Sequence, residues 1–466
     1  MHVTLTMMKP MTAGEKYRQM TGSPVRSLIL RLCLPAVISN LVTMAYNLTD
    51  TYFIGRLGTA QSGAIGIAFS VMTVFQAIGF FFGNGSGNSM SRELGKRHND
   101  RAARLLAVGF TGAVLIGAAV GLCFLAALHP LVYMLGSTDT IAPFAVQYLT
   151  PILLAAPCVC GSFALNGLLR YQGQSAFGML GLVSGALLNF MLAPLFIFVL
   201  NLGIFGAGLA TAICQTLSFA ILTLMSTKFG VIGLDLRRCR PDVLLVREII
   251  GGGLPSLIRQ SANSISVTCV NLAANPFGDA AIAAMAIVMR ITMFANSVII
   301  GLGQGLQPVC GYNYGAGKYD RVKEGYWFVV RLATTVLAVL AVGMATFAPQ
   351  LIELFRSDPA VIAVGVVALR VQCVTVACNG FNMTSNMIQQ TMGKTFIASF
   401  LALCRQGLFL APTVVILSHT VGLFGLQMAQ SVCDVLSLLV TIPFQIVVLR
   451  GLSVNREGKR AAAGRG

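Results

Sequence analysis

Long apolar runs separated by short polar connections dominate the chain from end to end. They extend approximately over 28–53, 63–88, 105–128, 140–168, 177–200, 204–227, 249–275, 280–308, 327–348, 360–390, 396–417 and 423–449. Each reaches or nears the ~20 residues a helix needs to cross ~30 Å of hydrocarbon, so the pattern predicts an all-α polytopic membrane protein of about twelve transmembrane helices. Composition points the same way. Hydrophobic residues fill 56% of the 466 positions and charged residues only 10%. A soluble globular chain carries about 25% charged residues, and this one has too few to coat a water-facing surface. The 49 Gly follow no G-x-y period and suit membrane helices, where small side chains let backbones approach closely. The 20 Met and 28 Phe fit lipid-facing or cavity-lining packing rather than a cofactor pocket.

A formal net charge of +17 raises the question of nucleic acid, and the placement of the cations answers it. Lys9, Lys16, Arg18 and Arg26 precede the first run, and Arg92, Lys96, Arg97, Arg101 and Arg104 cluster about the second connection. Arg170 falls in the fourth; Lys228, Arg237, Arg238, Arg240 and Arg247 in the sixth; Lys318, Arg321 and Lys323 in the eighth; Lys394 in the tenth. The tail adds Arg450, Arg456, Lys459, Arg460 and Arg465, whereas the odd-numbered connections hold Arg56 and Arg356. This is the positive-inside asymmetry: it places both termini in the cytoplasm, requires an even number of spans, and excludes a nucleic-acid patch. The first 27 residues are polar and mixed, and the run after them is too long for the core of a cleavable signal peptide. The 12 Cys form no CxxC pair and read as thiols buried in the spans (Cys33, Cys123, Cys214, Cys269, Cys433) rather than disulfides or a metal site. The four His are scattered, at His2, His98, His129 and His419. Gly393-Lys394-Thr395 lacks the upstream Gly of a phosphate-cradling loop, so ATP on this chain is excluded as the energy source.

The chain repeats itself at an offset of about 220. Pro35 pairs with Pro255, Gly58 with Gly278, and Ala64-Ile65-Gly66-Ile67 with Ala284-Met285-Ala286-Ile287. Gly83-Asn84-Gly85 pairs with Gly303-Gln304-Gly305, Gly95 with Gly315, and Asp100-Arg101 with Asp320-Arg321. Gly203-Ile204-Phe205-Gly206 and Gly422-Leu423-Phe424-Gly425 follow in the same order, as do Ala193-Pro194 and Ala411-Pro412. Six spans return the chain to its starting side, so the halves are parallel repeats about an axis along the membrane normal, the usual plan of alternating access. The expected organisation is a cytoplasmic N-terminal segment (1–27), an N-lobe (28–227), a cytoplasmic linker (228–248), a C-lobe (249–449) and a cytoplasmic basic tail (450–466).

Several ordered fragments carry a family resemblance. They are Pro35 with Tyr46-Asn47-Leu48-Thr49-Asp50-Thr51-Tyr52-Phe53-Ile54-Gly55-Arg56-Leu57-Gly58, then Leu188-Asn189 through Pro194-Leu195-Phe196-Ile197, and Gly206-Ala207-Gly208-Leu209-Ala210-Thr211. Gly253-Leu254-Pro255-Ser256, Gln304-Gly305-Leu306-Gln307-Pro308 and Asn313-Tyr314-Gly315-Ala316-Gly317 extend the set into the second half. Over residues 20–450 the chain resembles the multidrug and toxic compound extrusion (MATE) transporters of the MOP superfamily. The resemblance implies cation-coupled antiport in which two lobes rock between outward and inward states. It also implies an N-lobe coupling network at Tyr46, Asp50, Asn166, Asn189 and Thr211. Ala193 stands where relatives commonly carry a second Asp, and Asn263 where sodium-coupled relatives carry a Glu eight residues after Pro255. Coupling would then rest on Asp50 alone, and H⁺ is expected before Na⁺, because a hard cation wants several oxygens, usually including carboxylate.

The acids within the predicted spans are Asp50 and Asp434. A carboxylate at the bilayer centre costs about 2.5–3.5 kcal/mol even on insertion scales and marks function by default. For Asp50 two readings stand: a proton site, or a structural partner for an Arg or a backbone amide. Asp434 reads first as half of an ion pair with Arg259, Arg370 or Arg405, and second as a gating group. In the C-lobe, Arg259, Gln260, Asn263, Asn382, Asn386 and Asp434 are candidates for a polar substrate path, and Asn271, Asn379 and Gln389 add amides that serve equally as interhelical glue. Two or more Arg among Arg259, Arg290, Arg370 and Arg405 facing a cavity would turn it toward anionic or zwitterionic substrates; tied to carbonyls, amides or Asp434 they would be structural.

The expected protein is a secondary active antiporter, not an enzyme, exporting amphipathic organic compounds in exchange for H⁺. It needs no cofactor and no metal, and works with a small-molecule substrate and membrane lipid as a monomer in the bacterial inner membrane. A lipid-linked precursor flippase of the same superfamily and a non-transporting scaffold or channel are the alternatives.

Overall fold

The computed structural model describes residues 11–463, with side chains as far as Ser453. His2, Lys9 and Arg465, and the side chains of Arg456, Lys459 and Arg460, lie outside the described residues. A short helix, α1 (Ala13–Gly22), precedes the first span. Its start is a capping box: the Thr12 hydroxyl accepts from the Glu15 N–H at 3.3 Å, and the Thr12 N–H donates to the Glu15 carboxylate at 2.9 Å.

The spans follow as helices. They are α2 (Val25–Gly55), α3 (Thr59–Gly95), α4 (Asn99–Ala126), then short α5 (Leu128–Met134), α6 (Ala142–Leu154), α7 (Ala156–Tyr171), α8 (Ser175–Pro194) and α9 (Gly203–Lys228). The second half runs α10 (Val243–Ala274), α11 (Asp279–Gly315), α12 (Tyr319–Thr346), short α13 (Ala348–Glu353), α14 (Pro359–Val376), α15 (Cys378–Thr391), α16 (Thr395–Leu403), α17 (Leu410–Val421) and α18 (Leu423–Ala463). Among the described residues ten of these spans are long and apolar enough to cross a membrane by themselves, α8 and α16–α17 being continued through π turns. An eleventh is the pair α6 and α7, bent by 58° at Ala155. Pro151 removes a helical N–H one turn before that bend, and Pro157 occupies the second position of α7, where no N–H is missed. The remaining predicted span, α10, is long enough at 32 residues, but Arg259, Gln260, Asn263 and a series of Ser and Thr make it too polar to pass as one by composition. The tenth span is likewise two helices, α14 and α15, divided at Ala377, and only α14 is strongly apolar.

The chain forms two compact units. One comprises Leu34–Gly253 with the described part of Met1–Ser23; the other comprises Pro24–Cys33 and Leu254 onward. The first turns of α2 therefore belong with the second unit, and the first turns of α10 with the first. Glycine makes both seats. In the first unit a β-carbon at Gly85 on α3 would lie 2.3 Å from the Ile249 carbonyl oxygen and 3.2 Å from the Gly253 Cα. In the second, a β-carbon at Gly305 on α11 would lie 2.6 Å from the Cys33 Cα, and the Cys33 thiol donates to the Leu302 carbonyl at 3.2 Å. Both pairs obey the 220-residue offset, as do the turns with positive φ: Gly58 with Gly278, Arg97 with Gly317, and Gly173 with Gly393.

The first unit is held by an apolar core in which Phe75, Leu149, Ile152 and Cys160 are fully buried. Large apolar side chains such as Leu122, Leu187 and Met191 point outward, as a lipid solvent requires. All 12 Cys are free; Cys33, Cys214 and Cys433 are buried as expected, whereas Cys123 is exposed and Cys269 half-buried.

Two charges expected in connections lie inside. Helix α3 runs seven residues beyond its predicted apolar stretch and buries Glu93, which is paired with Lys96 at 2.7 Å and His98 at 2.9 Å. Arg170, at the end of α7, is 3% exposed and donates to the Asn84 side-chain oxygen at 3.0 Å.

Candidate functional site

Asp50 lies on α2, 6% exposed. The Thr211 hydroxyl, on α9, donates to its Oδ2 at 3.4 Å, and the Asn189 amide, on α8, donates to the Thr211 hydroxyl at 3.4 Å. Glycines set this geometry. A β-carbon at Gly208 would lie 2.3 Å from the Tyr148 carbonyl oxygen, so α9 approaches α6 at close range one turn before Thr211. Gly185, one turn before Asn189, does the same for α8 against the Cys214 carbonyl and the Ser218 hydroxyl of α9. Tyr46, one turn before Asp50, and Tyr148, from α6, are both close enough to interact with the carboxyl group.

Among the described residues no Lys, Arg or His pairs with Asp50, and its Oδ1 accepts no hydrogen bond. The Tyr46 hydroxyl and the Asn189 side-chain oxygen are likewise buried without a hydrogen bond. The reading of Asp50 as partner to an Arg or a backbone amide is thus not what the structure contains: the carboxyl meets hydroxyls. Ala193 is fully buried, so no second carboxylate joins Asp50 from that position of α8. Tyr46 also lines a small cavity together with Thr43, Gln215 and Ser218.

Asn166 does not join this group. It lies on α7 with its amide against Gly178 of α8. Gly178 precedes Asn189 by eleven residues on one helix, which is about 16 Å along the axis. Tyr148 takes a place beside Asp50 that the sequence reading missed; the visible signal was a single phenol in the fourth run.

The second unit has its own polar centre. Asp434 on α18 is 1% exposed and pairs with Arg405, Nε to Oδ1 at 3.1 Å. The Asn379 amide donates to its Oδ2 at 3.0 Å, and the Gln430 amide to Oδ1 at 3.3 Å. Arg405 stands in a π turn (Cys404–Phe409) between α16 and α17, a distortion that recurs at functional sites. It lies against Asp434, which is mid-helix in α18.

A small cavity adjoins this pair, lined by Arg259, Asn382, Asn386, Arg405 and Gln406 among others. Of the path candidates, Arg259, Asn382 and Asn386 reach it. Asn263 stands behind it, accepting from the Gln406 amide at 3.1 Å, and Gln260 is not on its wall. Arg290 and Arg370 are exposed, and Arg370 donates to the Ala345 carbonyl at 3.3 Å.

Among the described residues up to eleven apolar spans and the long, more polar α10, arranged in two repeated halves that each hold amides and a buried acid, describe a polytopic membrane transporter. The chain belongs to the MatE family, whose model matches it twice, over residues 35–195 and 255–416. The two matches reproduce the internal repeat. Among curated relatives, the multidrug export protein MepA of Staphylococcus saprophyticus is 27% identical over 418 residues, covering 88% of this chain and 92% of that one. MepA of Staphylococcus aureus strain N315 is 27% identical over 425 residues, covering 90% and 94%. Among solved structures, an outward-facing multidrug resistance MATE family transporter superposes with a TM-score of 0.87 at 24% identity, covering 93% of this chain and 98% of that one. A MOP superfamily transporter from Pyrococcus furiosus gives 0.88 at the same identity and coverage.

Proposed function

We propose that this protein is a multidrug exporter that drives amphipathic organic compounds out of a bacterial cell in exchange for H⁺, by alternating access, from an inner-membrane position with both termini cytoplasmic. The observation that carries the coupling is Asp50: a buried carboxyl with hydroxyl neighbours, no cationic partner among the described residues, and one oxygen without a hydrogen bond. A carboxylate taken out of water favours its neutral form, and gaining or losing one proton changes the local charge by one unit. Such a change biases a two-state equilibrium only if the two conformations solvate the charge differently, and a site built from Thr211, Tyr46 and Tyr148 on three helices is one that relative helix movement would remake. The names of the MepA relatives support export of drugs, and Arg259, Asn382 and Asn386 supply a polar path in the second unit.

The test is efflux of a cationic dye from a pump-deficient bacterial host. Efflux should follow an imposed pH gradient, collapse with a protonophore, and be lost in Asp50→Asn at equal membrane expression. Undiminished efflux by Asp50→Asn would overturn the coupling site, and efflux indifferent to the pH gradient would overturn H⁺ as the coupling ion.

A further inference from the structure

We infer that the segment joining the two repeats, together with the first turns of α10, is a docking site for an anionic phospholipid. Its arginines hold the headgroup phosphate, and the adjoining helix face takes an acyl chain. The site is separate from the coupling group at Asp50 and does not depend on which compound is exported.

The segment lies wholly in the first unit and is fixed to it by named contacts. The Ile232 N–H donates to the Gln172 side-chain oxygen at 3.0 Å, and the Gln174 amide donates to the Phe229 carbonyl at 3.2 Å. Arg238, in a 3₁₀ turn (Leu236–Arg238), pairs with Asp100 of α4 at 3.1 Å and with Asp235 at 3.5 Å. The Arg104 guanidinium donates to the Arg240 carbonyl at 3.1 Å, and Arg101 pairs with Glu248. These contacts engage Arg101, Arg104 and Arg238. They leave Arg237, Arg240 and Arg247 exposed, with no partner for their guanidinium groups among the described residues. Asp235 and Glu248 are already paired, so Asp242 is the acid to set against these three, and two positive charges remain in excess.

The start of α10 supplies the apolar half. Leu245 and Ile249 turn inward, 3% and 2% exposed. Val243, Arg247 and Ile250 fall on one outward stripe at i, i+4 and i+7, with Leu244 beside it. Val243 is 81% exposed, Leu244 66% and Ile250 48%. An apolar face of this kind next to unpaired cations is a poor surface for water and a natural one for lipid. Arg247 stands within the stripe, where an arginine lays its apolar stem along the helix and carries its charge to the level of the headgroups. Guanidinium groups bind phosphate oxygens with charge-assisted, often bidentate hydrogen bonds. The excess of positive charge then selects among phospholipids: a headgroup with a net negative charge is attracted, and one whose phosphate is balanced by its own ammonium is not.

Dioleoyl phosphatidylglycerol and dioleoyl phosphatidylcholine share acyl chains and a phosphate and differ in net charge, which makes them a matched probe pair. Native mass spectrometry of the purified full-length protein in detergent counts bound lipid as each is titrated, and gives a dissociation constant for the first lipid bound. Phosphatidylglycerol should bind about tenfold tighter than phosphatidylcholine. Arg240→Gln with Arg247→Gln should bring that ratio close to one. Arg18→Gln with Arg450→Gln removes two other exposed cations that have no partner among the described residues, and should leave the ratio where it was. All four side chains are exposed, so neither variant puts the fold at stake. Equal constants for the two lipids in the wild type would overturn the site. So would a ratio unmoved by Arg240→Gln with Arg247→Gln, or one lowered equally by both double variants, which would make the attraction a property of the whole basic surface. Inorganic phosphate that displaces phosphatidylglycerol at matched concentration would reassign the arginines to a soluble anion and overturn the lipid.

Discussion

The backbone of Gly208 lies so close to that of Tyr148 that a β-carbon at 208 would sit 2.3 Å from the Tyr148 carbonyl oxygen. Through this contact α9 reaches α6, and Thr211, three residues on, comes within reach of Asp50. Gly208→Ala must push the helices apart, and overpacking of this kind costs about 1–3 kcal/mol. We expect a clear fall in the melting temperature of the detergent-solubilised protein, accompanied by weakened efflux. Gly343→Ala, inside α12 where no atom lies within 4 Å of the added carbon, is the control and should not lower melting. Equal behaviour of the two variants would contradict the close-packing account.

Thr211 gives a sharper test of the Asp50 group, because its hydroxyl links the carboxyl to Asn189 through two contacts of 3.4 Å. Thr211→Val keeps the shape and removes the donor; Thr211→Ser keeps the donor. Dye efflux driven by a pH gradient should fall severalfold in the first and be largely retained in the second, at equal membrane expression. Loss in both variants would assign Thr211 to packing rather than to coupling.

Much of this architecture was legible in the sequence because a bilayer imposes a one-dimensional rule: an apolar run of sufficient length must span it. The repeat was legible because the same turns recur, and Gly173 and Gly393 do adopt positive φ at φ +75° and +79°. The site was legible only in part. Asp50, Thr211 and Asn189 came together, but Tyr148 joins them from a helix whose bend at Ala155 depends on two prolines, and no periodicity announces that pairing. Asn166 was misplaced because the family pattern fixes its helix and not its depth along it. The exchange of the first turns of α2 and α10 between the units is a long-range contact, settled by Gly85 and Gly305 against segments about 165 and 270 residues away in sequence. The π turn at Cys404–Phe409 leaves no mark on hydropathy, yet it decides which way Arg405 faces.

Sodium is the next prediction. The second unit offers a hard cation mostly amides, and the acid at its centre, Asp434, is engaged by Arg405, Asn379 and Gln430. Replacing external Na⁺ with a large organic cation at fixed pH should leave dye efflux unchanged. A strict requirement for Na⁺ would place the coupling ion elsewhere than this reading allows.

The Arg405–Asp434 pair predicts a characteristic non-additivity. Asp434→Asn leaves a guanidinium largely buried without its counter-charge, and breaking a buried pair costs about 3–5 kcal/mol. Adding Arg405→Gln removes the orphaned charge, so the double variant should be more stable than the single one. Thermal melting of the purified proteins reads the difference, and a double variant no more stable than Asp434→Asn would show that the pair does not couple.

Arg97 and Gly317 are repeat mates with positive φ, 65° and 75°, each just beyond the end of a helix. Arginine is strained where glycine is at ease: the left-handed conformation costs a residue with a β-carbon roughly 1–2 kcal/mol. Its guanidinium lies 4.2 Å from the centre of the Tyr17 ring, a contact at an exposed site that returns about 0.5–1 kcal/mol. Arg97→Gly loses the ring contact and relieves the strain, so its melting temperature should stay close to that of the wild type. Arg97→Ala loses the ring contact and keeps the strain, and should melt lower than Arg97→Gly by the equivalent of about 1–2 kcal/mol. Equal melting of the two variants would show that the turn after α3 relaxes out of the left-handed region, and that Arg97 is held there by Tyr17 alone.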